Sequence, residues 1–310
     1  MVTVKVPATT ANLGVGFDVL GLSLELYNYI EMDLLESGLE ITVQGEGEKE
    51  LSRSEDNLVF RIAQEVFRRN GFVWNGLKIS LVNYIPLERG LGSSAATLVG
   101  GALAANALSG DLLSEEEILE LVIEWEGHPD NVASTLYGGL VCCTQIRGET
   151  LWRKIDIDPQ KFNFVAVIPD YTISTRAARE VLPEQVPFGD AVHNLTQVGL
   201  LIIAFKDGDV SLLSKVMDDR LHQIYRSQLL PGFEKILAHA WEKGIPVALS
   251  GAGPTIMAIV PGGEQGTKTY RNRTDFIGDI LSEHGIASSS KLLIPDNQGA
   301  TITNLDSSNF

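Results

Sequence analysis

Two serines, Ser93 and Ser94, stand directly behind a pair of glycines, Gly90 and Gly92, in the segment P-L-E-R-G-L-G-S-S-A-A-T-L-V-G-G-A-L-A-A-N-A-L from Pro86 to Leu108. Glycine lets backbone N–H groups turn toward an anion, because no Cβ blocks the approach. The small and apolar residues that follow have few β-branched members and read as a buried helix. A helix start adds unpaired N–H groups and the positive end of the macrodipole. Together these make a phosphate site, although a plain glycine turn before a helix has the same wording. A hydroxyl at this point either caps the helix or ligates Mg²⁺. No G-K-[ST] ends the loop, and Ala95 stands where G-x-G-x-x-G wants its third glycine.

Other segments carry polar groups with a chemical use. In A-T-T-A-N-L-G-V-G-F-D, Asn12 and Asp18 are the polar side chains. They read as Asx turns or as a substrate-side loop, in which Asp18 supplies the carboxylate that an ammonium needs. In E-G-H-P-D-N, Glu126 ends a helix, where a carboxylate meets the negative end of the dipole. It wants a cation there, which Mg²⁺ would supply, or it faces solvent. Pro129 suits the first turn of the next helix, with His128 just before it. Thr175 and Arg179 lie four apart on one helix face. An arginine fork fits a carboxylate at two points, and a capped surface helix with solvated arginines is the other reading. Arg226 closes D-R-L-H-Q-I-Y-R, in which His222 reads as structural. Gly251 lies in a second glycine-rich turn, S-G-A-G-P, between two strands.

The elements that must hold these groups follow from periodicity and breakers. Val2 to Val6 alternates as a strand and stops at Pro7, leaving a bent glycine loop around Gly14, Gly16 and Gly21. Strands are expected at Leu24 to Leu35, Leu39 to Gln44 and Leu77 to Ile85, with an acidic turn at Gly45 to Glu50. Asp56 or Asn57 caps a helix that runs to about Arg69. Ser114 and Glu117 form a capping box for a helix ending at Glu126. Gly138 to Ile146 is a strand, Arg147-Gly148-Glu149 a turn, and a domain boundary is expected between residues 147 and 160. Beyond it come a strand at Phe162 to Ile168 and helices at Ala191 to Phe205, Asp207 to Met217, Glu234 to Lys243 and Thr267 to His284. A short strand at Lys291 to Ile294 and a loose tail at Leu305 to Phe310 close the chain.

With 310 residues, two domains are the natural division. Asp and Glu number 40 against 24 Lys and Arg, a formal net charge of −16. Such a surface argues against a nucleic acid or an anionic membrane as partner. An anionic substrate must therefore be met locally, by dipoles, Mg²⁺ and a few placed arginines. Cys142 and Cys143 are adjacent and point to opposite faces of a strand, so a disulfide between them would be strained. They read as small buried apolar residues, without metal spacing. The opening M-V-T-V-K-V-P lacks a signal-peptide pattern, and no run of about 18 apolar residues occurs. A reduced cytoplasmic setting, or an organelle after loss of a transit peptide, without a membrane partner, is the expectation.

Pro86 to Ala96 resembles the central loop of the GHMP kinases, P-x(3)-G-L-G-S-S-A-A, at every fixed position. The segment with Asn12 and Asp18 resembles the first motif of that family in its homoserine kinase form, P-x-[ST]-[ST]-A-N-L-G-x-G-F-D. H-P-D-N at 128 to 131, S-T-x-x-A-R ending at Arg179 and D-x-x-H-x-x-Y-R ending at Arg226 resemble the same branch. The turn at Gly251 resembles the third family motif.

The resemblance implies ATP and Mg²⁺. It puts Pro86, Arg89, Gly90, Leu91, Gly92, Ser93, Ser94 and Ala95 at the nucleotide, with Asn57 and Val59 beside the adenine. Ser94 and Glu126 would hold Mg²⁺. Asn12, Asp18, His128, Arg179, Arg226 and Gly251 would bind the substrate, L-homoserine, with Thr175 near its reacting hydroxyl. Asn131 stands where mevalonate kinase and galactokinase carry an aspartate base. An amide takes no proton at neutral pH, so no dedicated base is implied: the hydroxyl proton would pass to the γ-phosphate, or Asp130 or Asp18 would help indirectly.

The implied fold is α+β, the two-domain GHMP kinase fold. Residues 1–155 would be an N-terminal ATP-binding domain, a mixed sheet with helices. Residues 156–310 would be a C-terminal ferredoxin-like α/β sandwich, with the active site between them. The implied reaction gives O-phospho-L-homoserine, a step toward threonine, and a homodimer is a family expectation.

Overall fold

The computed structural model describes residues 1–303, apart from the side chain of residue 265. In its first half the elements are β1 (Val2–Asn12), β2 (Gly16–Leu35), β3 (Gly38–Gly45), α1 (Leu58–Arg69), β4 (Gly76–Asn83), α2 (Ser93–Leu108), α3 (Glu115–Glu126), α4 (Pro129–Tyr137), β5 (Leu140–Ile146) and β6 (Glu149–Ile155). Then follow β7 (Phe162–Pro169), α5 (Thr175–Glu180), α6 (Phe188–Asp207), α7 (Val210–Val216), α8 (Gln223–Arg226), α9 (Phe233–Lys243), β8 (Val247–Leu249), β9 (Ile256–Pro261), α10 (Gly263–Glu283), β10 (Ser288–Leu293) and β11 (Thr301–Thr303).

The first sheet runs β11-β1-β2-β4-β3, with β5 on β2 and β6 on β5. It is mixed, because β3 and β4 are parallel and are joined through α1. β2 is long enough to serve two neighbours in turn, pairing with β5 at Leu20 to Leu22 and with β4 at Tyr29 to Leu35. The second sheet has the order β10-β7-β9-β8, all antiparallel. With helices between its first and second and between its third and fourth strands, this is the split βαβ arrangement of a ferredoxin-like sandwich.

Several expectations are corrected. β1 does not stop at Pro7. The ladder shifts register between Pro7 and Ala8, so a bulge absorbs the missing N–H and the strand continues to Asn12. The glycine loop after it is the tip of a hairpin, with Asn12 and Leu13 in the left-handed region. β6 occupies part of the stretch assigned to a turn and a boundary. β11, absent from the sequence expectation, returns to the edge of β1. The expected tail at Leu305 to Phe310 lies outside the described residues.

α2 has no polar face, and it is packed all round by α1, α3, α4, β1 and β2. Its apolar surroundings continue into the second half, where Phe162, Phe164, Ala166 and Ile168 of β7 join the same core. The alternate residues Val165 and Val167 face a second cluster built on α9 and α10. α6 is long and apolar enough by composition to cross a membrane, which the sequence expectation did not foresee. Here it gives Leu201, Ala204 and Phe205 to the core and leaves Phe188, Leu195 and Ile203 on the surface.

Candidate active site

The phosphate-type loop is held from two sides. Gly92 is the N-cap of α2 with φ 70°, and a Cβ there would sit 1.9 Å from Thr9 Oγ1. Gly90 has φ 75°, and its Cβ would sit 2.2 Å from the Ser250 carbonyl oxygen. Both are places that only glycine occupies without strain. Ser250 donates to the Gly90 carbonyl at 2.6 Å, and its oxygen meets the Thr10 hydroxyl at 2.8 Å. So β1 and the turn after β8 clamp the loop, and the free N–H groups of α2 open into a cavity. Neither serine caps the helix. The buried Nε–H of Arg89 beside the loop has no partner, which is what a phosphate oxygen would satisfy.

That cavity has a volume of about 280 Å³ and collects residues from six segments of the chain. Asn12, Asp18, Arg89, Gly90, Leu91, Gly92, Ser93, Ser94, Glu126, His128, Asp130, Asn131, Thr175, Arg179, Arg226 and Gly251 all line it. A second cavity, of about 610 Å³, adjoins it and shares Glu88, Arg89, Ser93 and Ser94. Leu51, Leu58, Val59, Leu81 and Leu87 make much of its wall apolar, with Asn57 beside them. An apolar slot running into an N–H-rich loop suits a planar base joined to phosphates. Of the residues expected at the nucleotide, Pro86 and Ala95 are buried and line neither cavity. They shape the loop from behind. Asn57 reaches the slot, but its amide already caps α1 at Val59 N and donates to the Ser52 carbonyl.

Ser94 Oγ donates to Glu126 Oε2 at 2.7 Å, joining the start of α2 to the end of α3. The Glu126 side chain is only 11% exposed, and its nearest cationic group is His128 Nε2 at 4.0 Å. Burial raises its pKa, while the Ser94 hydrogen bond and His128 pull the other way. A hydroxyl and an under-compensated carboxylate are hard oxygen ligands fit for Mg²⁺, which takes its remaining ligands from phosphate and water. Among the described residues no group of three or more His, Cys, Asp or Glu side chains forms a metal cage, which agrees with so sparse a donor set.

The H-P-D-N segment is wired internally. Asp130, almost fully buried, meets His128 Nδ1 at 2.8 Å and accepts the Asn131 backbone N–H at 2.8 Å. Burial disfavours the imidazolium of His128, yet Asp130 and Glu126 raise its pKa overall. Thr9 donates to Asn131 Oδ1 at 2.8 Å. With its carbonyl taken, Asn131 can present only N–H to the cavity. It can donate to an oxygen and cannot accept a proton.

Opposite the loop, Arg179 binds Asp18 through both nitrogens, at 3.0 and 2.9 Å. Asp18 has φ 56°, and its N–H donates to Asn12 Oδ1 at 3.1 Å. Asn12 in turn donates to the Gly251 carbonyl at 2.9 Å, which also accepts from Arg226 Nη1 at 2.9 Å. Asn12 and Gly251 are thus mainly struts for Asp18 and Arg226. Arg226 is 3% exposed, and burial together with neighbouring Arg179 brings its pKa down to about 10. The Asp18 bond, working against burial, raises that of Arg179. Both guanidinium groups lie over the Phe17 ring, 5.7 and 5.2 Å from its centroid.

Sequence reasoning gave no site role to Phe17, Thr9 or Ser250, although Phe17 and Ser250 lie inside motifs it named. Thr9 and Ser250 act through contacts with residues more than a hundred positions away. Phe17 lies inside the first motif, and its role emerges only where two arginines from the far half converge on it.

The sequence profile of the GHMP kinases N terminal domain matches residues 57–139, and that of GHMP kinases C terminal matches residues 201–277. The homoserine kinase of Natranaerobius thermophilus is 44% identical over 306 residues, 97% of each chain. That of Caldicellulosiruptor saccharolyticus is 42% identical, covering 99% of this chain and 98% of its own. The crystal structure of homoserine kinase from Cytophaga hutchinsonii superposes with a TM-score of 0.84 at 29% identity, over 97% of both chains.

Proposed function

From the premise that this chain belongs to the GHMP kinase family, we propose that it transfers the γ-phosphoryl group of ATP to the side-chain hydroxyl of L-homoserine, giving O-phospho-L-homoserine. The observation that carries the substrate reading is the charge count at Phe17. Two guanidinium groups converge there, and Asp18, the one carboxylate in contact with either among the described residues, is bonded to Arg179. The buried Arg226 therefore has no carboxylate in contact among the described residues, with Asp18, Asp219 and Asp130 acting on it without a direct ion pair, and a substrate carboxylate would supply one. Asp18 then takes the substrate ammonium. The zwitterion of an α-amino acid replaces the Asp18–Arg179 pair charge for charge.

In this reading the base and ribose lie in the second cavity and the phosphates lie on the N–H groups of Gly92 to Ser94. Ser94 and Glu126 would hold Mg²⁺, which neutralises charge on the phosphates. Arg89 meets a phosphate oxygen. Asn131 donates to the substrate hydroxyl oxygen and so orients it, with Thr175 on the other side. No side chain at this point takes the proton, which leaves with the transferred phosphoryl oxygens. Phosphoryl transfer tolerates this, because its loose transition state needs alignment and charge neutralisation more than deprotonation. His128 and Asp130 keep the Asn131 amide in place.

The product places the reaction on the route to threonine, in a cytoplasmic setting. The division into an ATP-binding half, 1–155, and a second half, 156–310, belongs to the same proposal. A second copy of the chain would cover the exposed apolar residues of α6; light scattering on the wild type and on Leu195→Asp tests this, and a monomeric wild type would refute it.

The decisive assay is ADP release with Mg-ATP and L-homoserine, against L-serine, L-threonine, mevalonate, shikimate and galactose. Turnover with homoserine alone is expected. Preference for a substrate without an amine or carboxylate would overturn the reading of Asp18 and the arginines.

A further inference from the structure

His222 is fully buried and touches both sides of the amino-acid site. Its Nε2 lies 2.6 Å from the Gly14 carbonyl oxygen, at the tip of the hairpin that carries Phe17 and Asp18. Its Nδ1 lies 3.3 Å from Arg226 Nη1. A carbonyl accepts and a guanidinium donates, so these neighbours assign the tautomer: Nε2 carries the proton and Nδ1 holds the lone pair. The ring also stacks on Phe17, with centroids 5.1 Å apart.

The ring is itself held. Asp219 accepts the backbone N–H groups of Leu221, His222 and Gln223 and the side-chain amide of Asn194. That fan of bonds fixes the turn into α8, from which both His222 and Arg226 project. Arg226 then spends Nε on the Ala178 carbonyl, at 3.0 Å, and Nη1 on Gly251 and His222. Of its five N–H groups, only the two on Nη2 have no protein partner among the described residues.

We propose that His222 is a positioning residue, which through Nδ1 orients the guanidinium of Arg226 and through Nε2 anchors the hairpin of Asp18, setting the distance between the carboxylate and ammonium subsites. A lysine or apolar side chain at 222 would leave Arg226 Nη1 short of an acceptor and let the fork rotate. The positions of these groups agree with the chemistry of the ring, since burial and the Arg226 charge both disfavour its protonation against the pull of Asp219.

This inference rests on the reading that Arg226 receives the substrate carboxylate. The test compares L-homoserine with L-homoserinamide, which keeps the amine and hydroxyl but lacks the carboxylate charge. The kcat/KM ratio of the two measures carboxylate selectivity in wild type, Arg226→Gln, His222→Asn and His222→Gln. Asparagine places an acceptor near the Nδ1 position, whereas glutamine reaches the Nε2 position and leaves Arg226 without its acceptor. Arg226→Gln and His222→Gln are expected to lower the ratio at least about tenfold, the scale of one lost charge-assisted bond. His222→Asn is expected to keep most of it, and KM for ATP is expected to stay unchanged in all three. Loss of selectivity in Arg226→Gln but not in His222→Gln overturns the positioning role. An unchanged ratio in Arg226→Gln overturns the carboxylate reading instead. Nitrogen-15 spectra of histidine-labelled wild type, which need no variant, are expected to show His222 protonated at Nε2 only. Protonation at Nδ1 would overturn the inference whatever the variants do.

Discussion

Arg179 grips both carboxylate oxygens of Asp18, at 3.0 and 2.9 Å, across 161 positions of sequence. Each charge already has a partner of the kind the substrate would bring. Replacing Arg179 by leucine is expected to raise KM for L-homoserine by tens of fold, from about 2 kcal/mol for a lost charged hydrogen bond. Because both side chains are more than a third exposed, the thermal midpoint should move little. Steady-state kinetics with each substrate varied in turn checks this; a change confined to ATP would refute the assignment.

Ser94 and Glu126 bond to each other and line the cavity together, so they are expected to act as a pair. Ser94→Ala and Glu126→Ala should each lower kcat on the order of a hundredfold, the scale for removing one charge-stabilising group. Chelation by EDTA should abolish turnover while leaving the unfolding midpoint in place, because Ser94 and Glu126 line the cavity and are not part of the hydrophobic core. Full activity in both variants would remove the Mg²⁺ assignment.

Asn131 offers a test of the base-free mechanism. If a carboxylate were what the site lacked, Asn131→Asp would speed the reaction. The geometry predicts the opposite, because Asn131 Nδ2 lies 3.4 Å from Asp130 Oδ1 and a second carboxylate there would face the first. A fall in kcat of about tenfold or more is expected from the lost donor and the repulsion. A rise would show that proton removal limits the reaction.

The buried imidazole of His222 predicts a pH effect with a definite sign. Burial first, and the facing Arg226 charge, hold its pKa below the usual value of about 6.5, against Asp219, the Gly14 carbonyl and Asp18. The unfolded chain therefore takes up the proton before the folded one. Its contribution to stability is complete above the unfolded pKa and is lost as pH falls through that value toward the folded pKa. His128 is shifted the other way, and its contribution is lost as pH rises through its raised pKa. The difference between wild type and His222→Asn isolates the first effect. Urea unfolding at pH 7.5 and pH 5.5 should show the stability gap shrinking at the lower pH; a gap that widens would contradict the neutral ring.

Much of this was legible because it is local. The Asn57 cap, the Ser114 capping box and the helix from Ser93 each follow from residues within a few positions of one another. The polar residues that line the cavity were candidates by type, although the sequence left a solvated reading open for Glu126 and Arg179. The bulge at Pro7 was not, because a proline reads as a stop unless the partner strand is known to yield two residues there. Nor were β6 and β11, whose short runs become strands only against neighbours already in place. The roles of Asn12 and Gly251 shifted for the same reason. Their polar groups are spent on one another, which no spacing along the chain reveals.

The pairing of β11 with β1 has a temporal side. During synthesis the first strand emerges at once, and β2 follows directly to cover one of its edges. At Thr3 to Lys5 the other edge waits for Thr301 to Thr303, the last strand among the described residues. Until then the part of β1 that takes β11 is an open edge, at the end of the strand away from the tip that leads to Asp18. The chain thus carries the groups of Asn12 and Asp18 on its first hairpin and one strand of their sheet about 300 positions later, so that sheet is complete only when the two ends of the described residues have met.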